Sequence, residues 1–367
     1  HEALQYLQDP ILPVRAHGLH LLTRLVSRVA RNHSAKCYGD ELDHALIPEI
    51  FDLFLHAIQD DESFLYLNAV QGLAQMAMSW RDAVLRPLMA MYVGGDKTQD
   101  GMSHALSYGQ ELTQRETDQR LRIGEAILQV LQHLGEAVVS ELDRIVPPLL
   151  TAVRNPLFSA TLRSSFISIL GTCVEIAPTA LAADRSSVHM VHMCTELIQA
   201  TTESRAIRHR SRVRASVQGV GAGGEVTERA LDEEDEEEAM WQREATSGTD
   251  RDVHRPQLRR AALLLLLMLL RATQEQLDDY RESCERDLDH IDAPLSALRL
   301  PGGGVLPDVH DRAKPTLPPL LVPVDVLGSV MPVVTYMAQE EADNVVRVQA
   351  QDCIDHIRLV ELAYIGL

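Results

Sequence analysis

Apolar residues recur along this chain at the spacing of a helical face. Val14, Gly18, Leu21, Leu22, Leu25 and Val29 follow one another at intervals of four, three, one, three and four, which sets them on one stripe of an α-helix. Leu46, Ile47, Ile50, Phe51, Phe54, Ala57 and Ile58 form a second such stripe one helix later. Burying one Leu or Ile contributes about 1.5–3 kcal/mol, so helices of this kind are held by stacking on one another more than by their own propensity.

A shorter signature recurs within the stripes. An aliphatic residue, usually followed by Arg, precedes a small or apolar pair by about four positions. It occurs at Val14-Arg15, Leu121-Arg122, Leu162-Arg163, Leu258-Arg259 and Val346-Arg347, with Leu67-Asn68 a weaker copy lacking the Arg. Successive copies lie 53, 54, 41, 96 and 88 residues apart, and halving the last two gives 48 and 44. Units of about 40–47 residues are the HEAT and armadillo period. The spacing therefore predicts an all-α, HEAT/armadillo-type helical-repeat solenoid of about six to eight repeats, carrying disordered insertions. Asp9, Asp118, Asn155 and Asp343 sit just ahead of copies and are expected to cap the second helix of a repeat. Arg15, Arg122, Arg163, Arg259 and Arg347 are expected to form a ladder, each pairing with an acid of the neighbouring repeat.

Breaks in the period divide the chain. Residues 1–200 read as HEAT-like repeats interrupted by a polar, Gly-bearing loop from Gly94 to Gly109. Residues 201–256 lose the apolar period and carry Arg-rich, Gly-rich and acidic blocks, a composition that buries too little surface to offset ordering and so predicts a disordered insert. Residues 257–290 resume as a helical repeat, 291–321 form a Pro/Gly loop, and 322–367 make a terminal HEAT-like repeat. Pro48, Pro147, Pro148, Pro323 and Pro332 fall where first helices begin or bend. The chain opens at His1 with the period already running, and is expected to be the C-terminal part of something longer.

Charge narrows the class of partner. A net charge of −19 repels phosphate backbones, so direct nucleic-acid binding is disfavoured and protein partners are favoured. Aromatics make up 4%, fewer than sheets usually carry. The five cysteines are scattered through apolar helical pattern and are read as reduced, buried thiols. The apolar run from Ala261 to Leu270 is ten residues between arginines, against the about 20 that span a bilayer, and is read as a buried repeat helix.

Few constellations suggest chemistry. Seven consecutive carboxylates, Asp232, Glu233, Glu234, Asp235, Glu236, Glu237 and Glu238, form a candidate acidic cargo loop, against the simpler reading of a solvated segment. Arg205, Arg208, Arg210, Arg212 and Arg214 lie just upstream and can screen that run, with Ser211 a candidate phosphorylation site. His189 and His192 share a helical face, but Cys194 points elsewhere and no fourth ligand stands at zinc spacing. Gly219, Gly221 and Gly223 lack the strand before and the Lys-Ser or Lys-Thr after that a phosphate loop needs. No catalytic, metal or cofactor site is predicted, and no cofactor is implied.

The strings DPILPVRAHGLHLL (Asp9–Leu22), DDESFLYLNAVQGL (Asp60–Leu73) and LRIGEAILQVLQHLG (Leu121–Gly135) resemble the transport and Golgi organisation protein 6 family, whose fungal relatives are described as required for nuclear transport of RNA polymerase II. MPVVTYMAQEEADNVVRVQAQDCIDHI (Met331–Ile357) resembles that family's second block. The resemblance implies a non-enzymatic, importin-like scaffold that binds protein cargo and is linked to secretion and to polymerase import or assembly. RNA polymerase II subunits, vesicle-coat or nuclear-pore components are the implied partners. It also implies a cytoplasmic location, with shuttling to the nucleus or association with Golgi membranes. The alternative is a membrane-associated component of the secretory pathway, resting on the Ala261–Leu270 run.

Overall fold

The computed structural model describes residues 2–34, 46–94, 112–199, 255–289 and 317–366, apart from positions 8, 61 and 318. These residues are helical throughout, with turns between, and no strand occurs among them. In chain order the helices are α1 (Glu2–Leu7), α2 (Leu12–Ser34), α3 (Leu46–Ile58), α4 (Ser63–Ser79), α5 (Arg81–Val93), α6 (Gln114–Leu134), α7 (Leu142–Arg154), α8 (Ala160–Ile176) and α9 (Pro178–Ala183). Next come α10 (residues 186–199), α11 (Arg255–Asp289), α12 (Val324–Glu340) and α13 (Asn344–Ile365). A 3-10 turn, Gly135–Glu141, joins α6 to α7.

Two layers result. The second helices α2, α4, α6, α8, α11 and α13 lie side by side, each packed on the next, while α3, α5 and α7 form the facing layer of first helices. This is a helical-repeat solenoid, and every copy of the aliphatic-Arg signature sits near the start of a second helix. Across the two long intervals the described second helices still meet: α8 packs directly on α11 and α11 directly on α13.

Sequence explains much of the difference between the layers. Pro87 lies inside α5, Pro147 and Pro148 inside α7, and Pro332 inside α12, all first helices. In the second helices Pro13 and Pro256 stand in the first turn, where a missing amide donor has no consequence. Second helices are flanked on both sides, so they bury more of their circumference. In α11, Leu263, Leu265, Leu266, Leu267, Leu269 and Leu270 are buried and Leu264 alone of that run of leucines is half-exposed. A helix apolar nearly all round is one enclosed by neighbours.

Close approach between layers is made by glycine. A Cβ on Gly72 of α4 would stand 2.2 Å from Cε1 of Phe54 in α3, and one on Gly124 of α6 would stand 2.6 Å from Cε2 of Tyr92 in α5. Each aromatic ring thus occupies the space a side chain would take. Tyr92 is fully buried, stands 2.6 Å from Ser165 Oγ through its hydroxyl and meets the Phe166 ring edge-on at 4.7 Å.

Two expected caps are placed differently. Asp118 lies inside α6, whose start is set by Thr113: its hydroxyl accepts from the Glu116 amide at 3.3 Å and its own amide donates to the Glu116 carboxylate at 2.8 Å. That reciprocal box outcompetes a lone Asp further on. Asn155 holds a turn, accepting from the Leu157 amide at 3.0 Å, and Ser159 caps α8. Asp9 accepts from Ile11 at 2.8 Å just ahead of α2, and Asp343 caps α13 through the amides of Val345 and Val346 at 2.9 and 3.1 Å.

Candidate functional site

The five signature arginines reach different partners. Arg15 of α2 pairs with the Asp60 carboxylate at 3.6 Å, in the turn between α3 and α4. Arg122 of α6 reaches the same turn from the other side, donating to the carbonyls of Gln59 and Asp60 at 3.2 and 2.9 Å. One turn is therefore gripped by the helices on either side of α4. Arg163 of α8 donates from Nε to the Val153 carbonyl at 2.6 Å, at the end of its own first helix, where carbonyls lack intrahelical donors. Burial lowers the pKa of that guanidinium. Arg347 of α13 bonds Asn344, one turn away on its own helix.

Arg259 makes the most enclosed contact. It pairs with Glu341, at the end of α12, and both side chains are buried. The Glu341 carboxylate also accepts from the Ala342 amide at 2.9 Å. Beside it, Arg260 pairs with the capping residue Asp343 at 2.5 Å. The Arg260 hydrogen bond, then the Val346 amide, hold the Asp343 carboxyl below the usual carboxylate range. Further along the same helix pair, Arg271 donates to His356 Nε2 at 3.4 Å while His356 Nδ1 donates to Gln274 at 3.2 Å. Burial and the Arg271 charge hold His356 below the usual histidine range.

Sequence reasoning marked Arg259 but missed Glu341. Its only local sign is its place two residues ahead of the α13 cap.

Other candidates resolve into structure. His189 and His192 are exposed on α10 and Cys194 is buried, so the three do not converge. Among the described residues no group of three His, Cys, Asp or Glu side chains is placed to hold a metal ion. Cys173, Cys194 and Cys353 are free, buried thiols, and burial pushes Cys173 and Cys353 up to about 12. The acidic run Asp232–Glu238 and the arginine block 205–214 lie outside the described residues. No described helix is long and apolar enough to cross a membrane. The Ala261–Leu270 run fills the space between α8 and α13.

Two surface features remain. A groove of about 490 Å³ lies between α5 and α7, lined by Leu85, Met89, Ile145 and Pro148, with the Asp82–Arg144 ion pair at 2.5 Å in its lining. On α4, Phe64 is 70% exposed and Leu67 57%.

The gripped α3–α4 turn lies within the segment that matches a family model. Residues 1–137 match the family model "Required for nuclear transport of RNA pol II C-terminus 1". The chain is 22% identical over 179 residues to the RNA polymerase II assembly factor RTP1 of Saccharomyces cerevisiae, covering 48% of this chain and 15% of the relative. It is 22% identical over 154 residues to the RNA polymerase II assembly factor rtp1 of Schizosaccharomyces pombe, covering 42% of this chain and 16% of the relative. The chain thus matches a small part of the length of these curated relatives. Among solved structures, a designed armadillo repeat protein, YIII(Dq)4CqI, is similar at 10% identity over 97% of this chain and 98% of its own, with a TM-score of 0.33. The assignment of the fold rests on the helix packing described above.

Proposed function

We propose that this chain is a non-enzymatic, protein-binding segment of a factor that assists the assembly or nuclear import of RNA polymerase II. The match of residues 1–137 to a family described by that transport carries the reading, with two similar assembly factors in yeasts supporting it. The architecture suits the role: stacked helices present a long side-by-side surface, the form in which repeat proteins hold extended partners. The signature arginines hold the register of that surface at its turns, Arg15 and Arg122 at the α3–α4 turn and Arg259 at the end of α12. Polymerase subunits are the proposed cargo, and the protein works in the cytoplasm and at nuclear entry.

A role in secretion and Golgi organisation, with vesicle-coat components as partners, belongs to the same proposal and rests on the sequence resemblance alone. The candidate cargo loop Asp232–Glu238 would add a site for basic segments. Affinity purification of the full-length protein with crosslinking is the test. Recovery of polymerase subunits above a mock purification supports the reading, and recovery of no subunit overturns it.

A further inference from the structure

We infer that the outward stripe of α4 seats an amphipathic helix of the protein partner, one that carries carboxylates on the flank lying over α2 and basic side chains on the flank lying over α6. This rests on the protein-binding reading above and says where, and with what chemistry, binding occurs.

Three faces of α4 are taken, by α2, α6 and the first helix α3. The fourth carries Phe64, Leu67, Gln71 and Met78, at helical spacings of three, four and seven, with no formal charge. Phe64, Leu67 and Met78 are 70%, 57% and 45% exposed. Phe and Leu held in water three residues apart, in the interior of an array, form the kind of apolar patch that marks an interaction site. In the middle of the stack the stripe sets α4 apart: the corresponding surface of α6 shows Asp118, Glu125 and Gln129, and that of α8 shows Ser168 and Glu175, whereas α13, the last described helix, exposes Val345, Val348, Leu359 and Leu362.

Charge on either side says what fits. Thr23 of α2 donates to the Asn68 carbonyl at 3.3 Å, and the exposed Arg24 follows Thr23 on the flank that α2 forms. Tyr66 lies beside Glu125 of α6, whose carboxylate raises the phenol further after burial has done so, and Glu125 is exposed on the other flank. An apolar strip with a cation along one border and an anion along the other is the complement of a helix with an apolar face and oppositely charged edges. In the groove between α5 and α7, by contrast, Arg144 already pairs with both Asp82 and Glu141.

The test uses the full-length protein and a fluorescein-labelled synthetic helix of about 18 residues, a length of about 27 Å at 1.5 Å per residue. It carries leucines at positions i, i+3 and i+7, glutamates on one flank and lysines on the other, and binding is read by anisotropy. Phe64→Asp is expected to weaken binding at least tenfold with an unchanged melting temperature, and Leu67→Gln, a milder change at an exposed site, severalfold. Arg24→Glu is expected to weaken the mixed-flank peptide and to favour a version with lysines on both flanks. Absence of binding by wild type, or binding that Phe64→Asp leaves unchanged, overturns the inference. So does light scattering that shows a dimer which Phe64→Asp dissociates, because the occupant is then a second copy. If wild type purifies with polymerase subunits and Phe64→Asp does so equally, the inference fails while the proposed function stands. If wild type recovers none, the proposed function fails whatever the peptide does.

Discussion

Arg259 and Glu341 lie 82 residues apart in sequence and form one buried ion pair, linking the second helix of one repeat to the end of the first helix of the next. Neither charge is in contact with bulk water. Removing one partner leaves the other uncompensated in a low-dielectric site, which is where a missing charge matters most. Glu341→Ala is expected to destabilise the α11–α13 unit by about 3–5 kcal/mol in urea denaturation. Arg144→Ala, which removes the exposed pair with Asp82, is expected to change stability by less than about 1 kcal/mol. Equal effects would show that burial is not what gives the Arg259 pair its weight.

Gly72 and Phe54 supply a second test. Gly72→Ala inserts a methyl group where the Phe54 ring already lies, at a cost of about 1–3 kcal/mol from overpacking. Phe54→Leu leaves space of its own. The double variant is expected to be more stable than the sum of the single effects predicts, since the new methyl fills the vacated volume. Strict additivity in a denaturation cycle would show that the two positions do not share that space.

His356 predicts a pH dependence. Burial and Arg271 on α11 hold its folded pKa below the unfolded value, with Asp352 and Asp355 on its own helix opposing them less strongly. The unfolded chain then binds the proton more readily, so the contribution of neutral His356 is complete above about pH 6.5 and is lost as pH falls toward the folded pKa. Protonation also abolishes the Nε2 acceptor used by Arg271. His356→Gln is expected to flatten thermal stability between about pH 6.5 and 5 relative to wild type. An identical slope in both proteins would remove His356 from the account.

Thiol reactivity follows burial. Cys173, Cys194 and Cys353 are buried, with their pKa values raised by desolvation, whereas Cys284 on the far part of α11 is partly exposed. The thiolate is the reacting species, so maleimide labelling of the native protein is expected to modify Cys284 well before those three. Peptide mass spectrometry reads the order. Labelling of Cys194 at the rate of Cys284 would mean that α10 opens readily.

The solenoid was legible in the sequence because its strongest signal is local. The stripe from Val14 to Val29 and the copies of Val-Arg or Leu-Arg each lie within one helix, so periodicity finds them. Which helices become neighbours was less legible than the helices themselves: packing of α8 on α11 depends on which faces are apolar, and chain length between them does not enter. Caps were misjudged where two polar residues competed, as at Thr113 and Asp118. Contacts such as Arg259 with Glu341, or Gly72 with Phe54, join distant residues whose own neighbourhoods carry no mark of the partner. The exposed Phe64 and Leu67 were invisible for a related reason, since Leu67 belongs to a signature copy and reads as core until α4 is seen among its neighbours.

The seat of α11 has a consequence for how the chain holds together. Residues 200–254 stand between α10 and α11 in sequence, while α11 packs directly against α8 and α13. Its buried leucines, Leu263, Leu266 and Leu270 among them, join the two parts of the stack without help from chain continuity. A protease cut between residues 200 and 254 is therefore expected to leave two fragments that migrate as one body, with the stack acting as its own clamp.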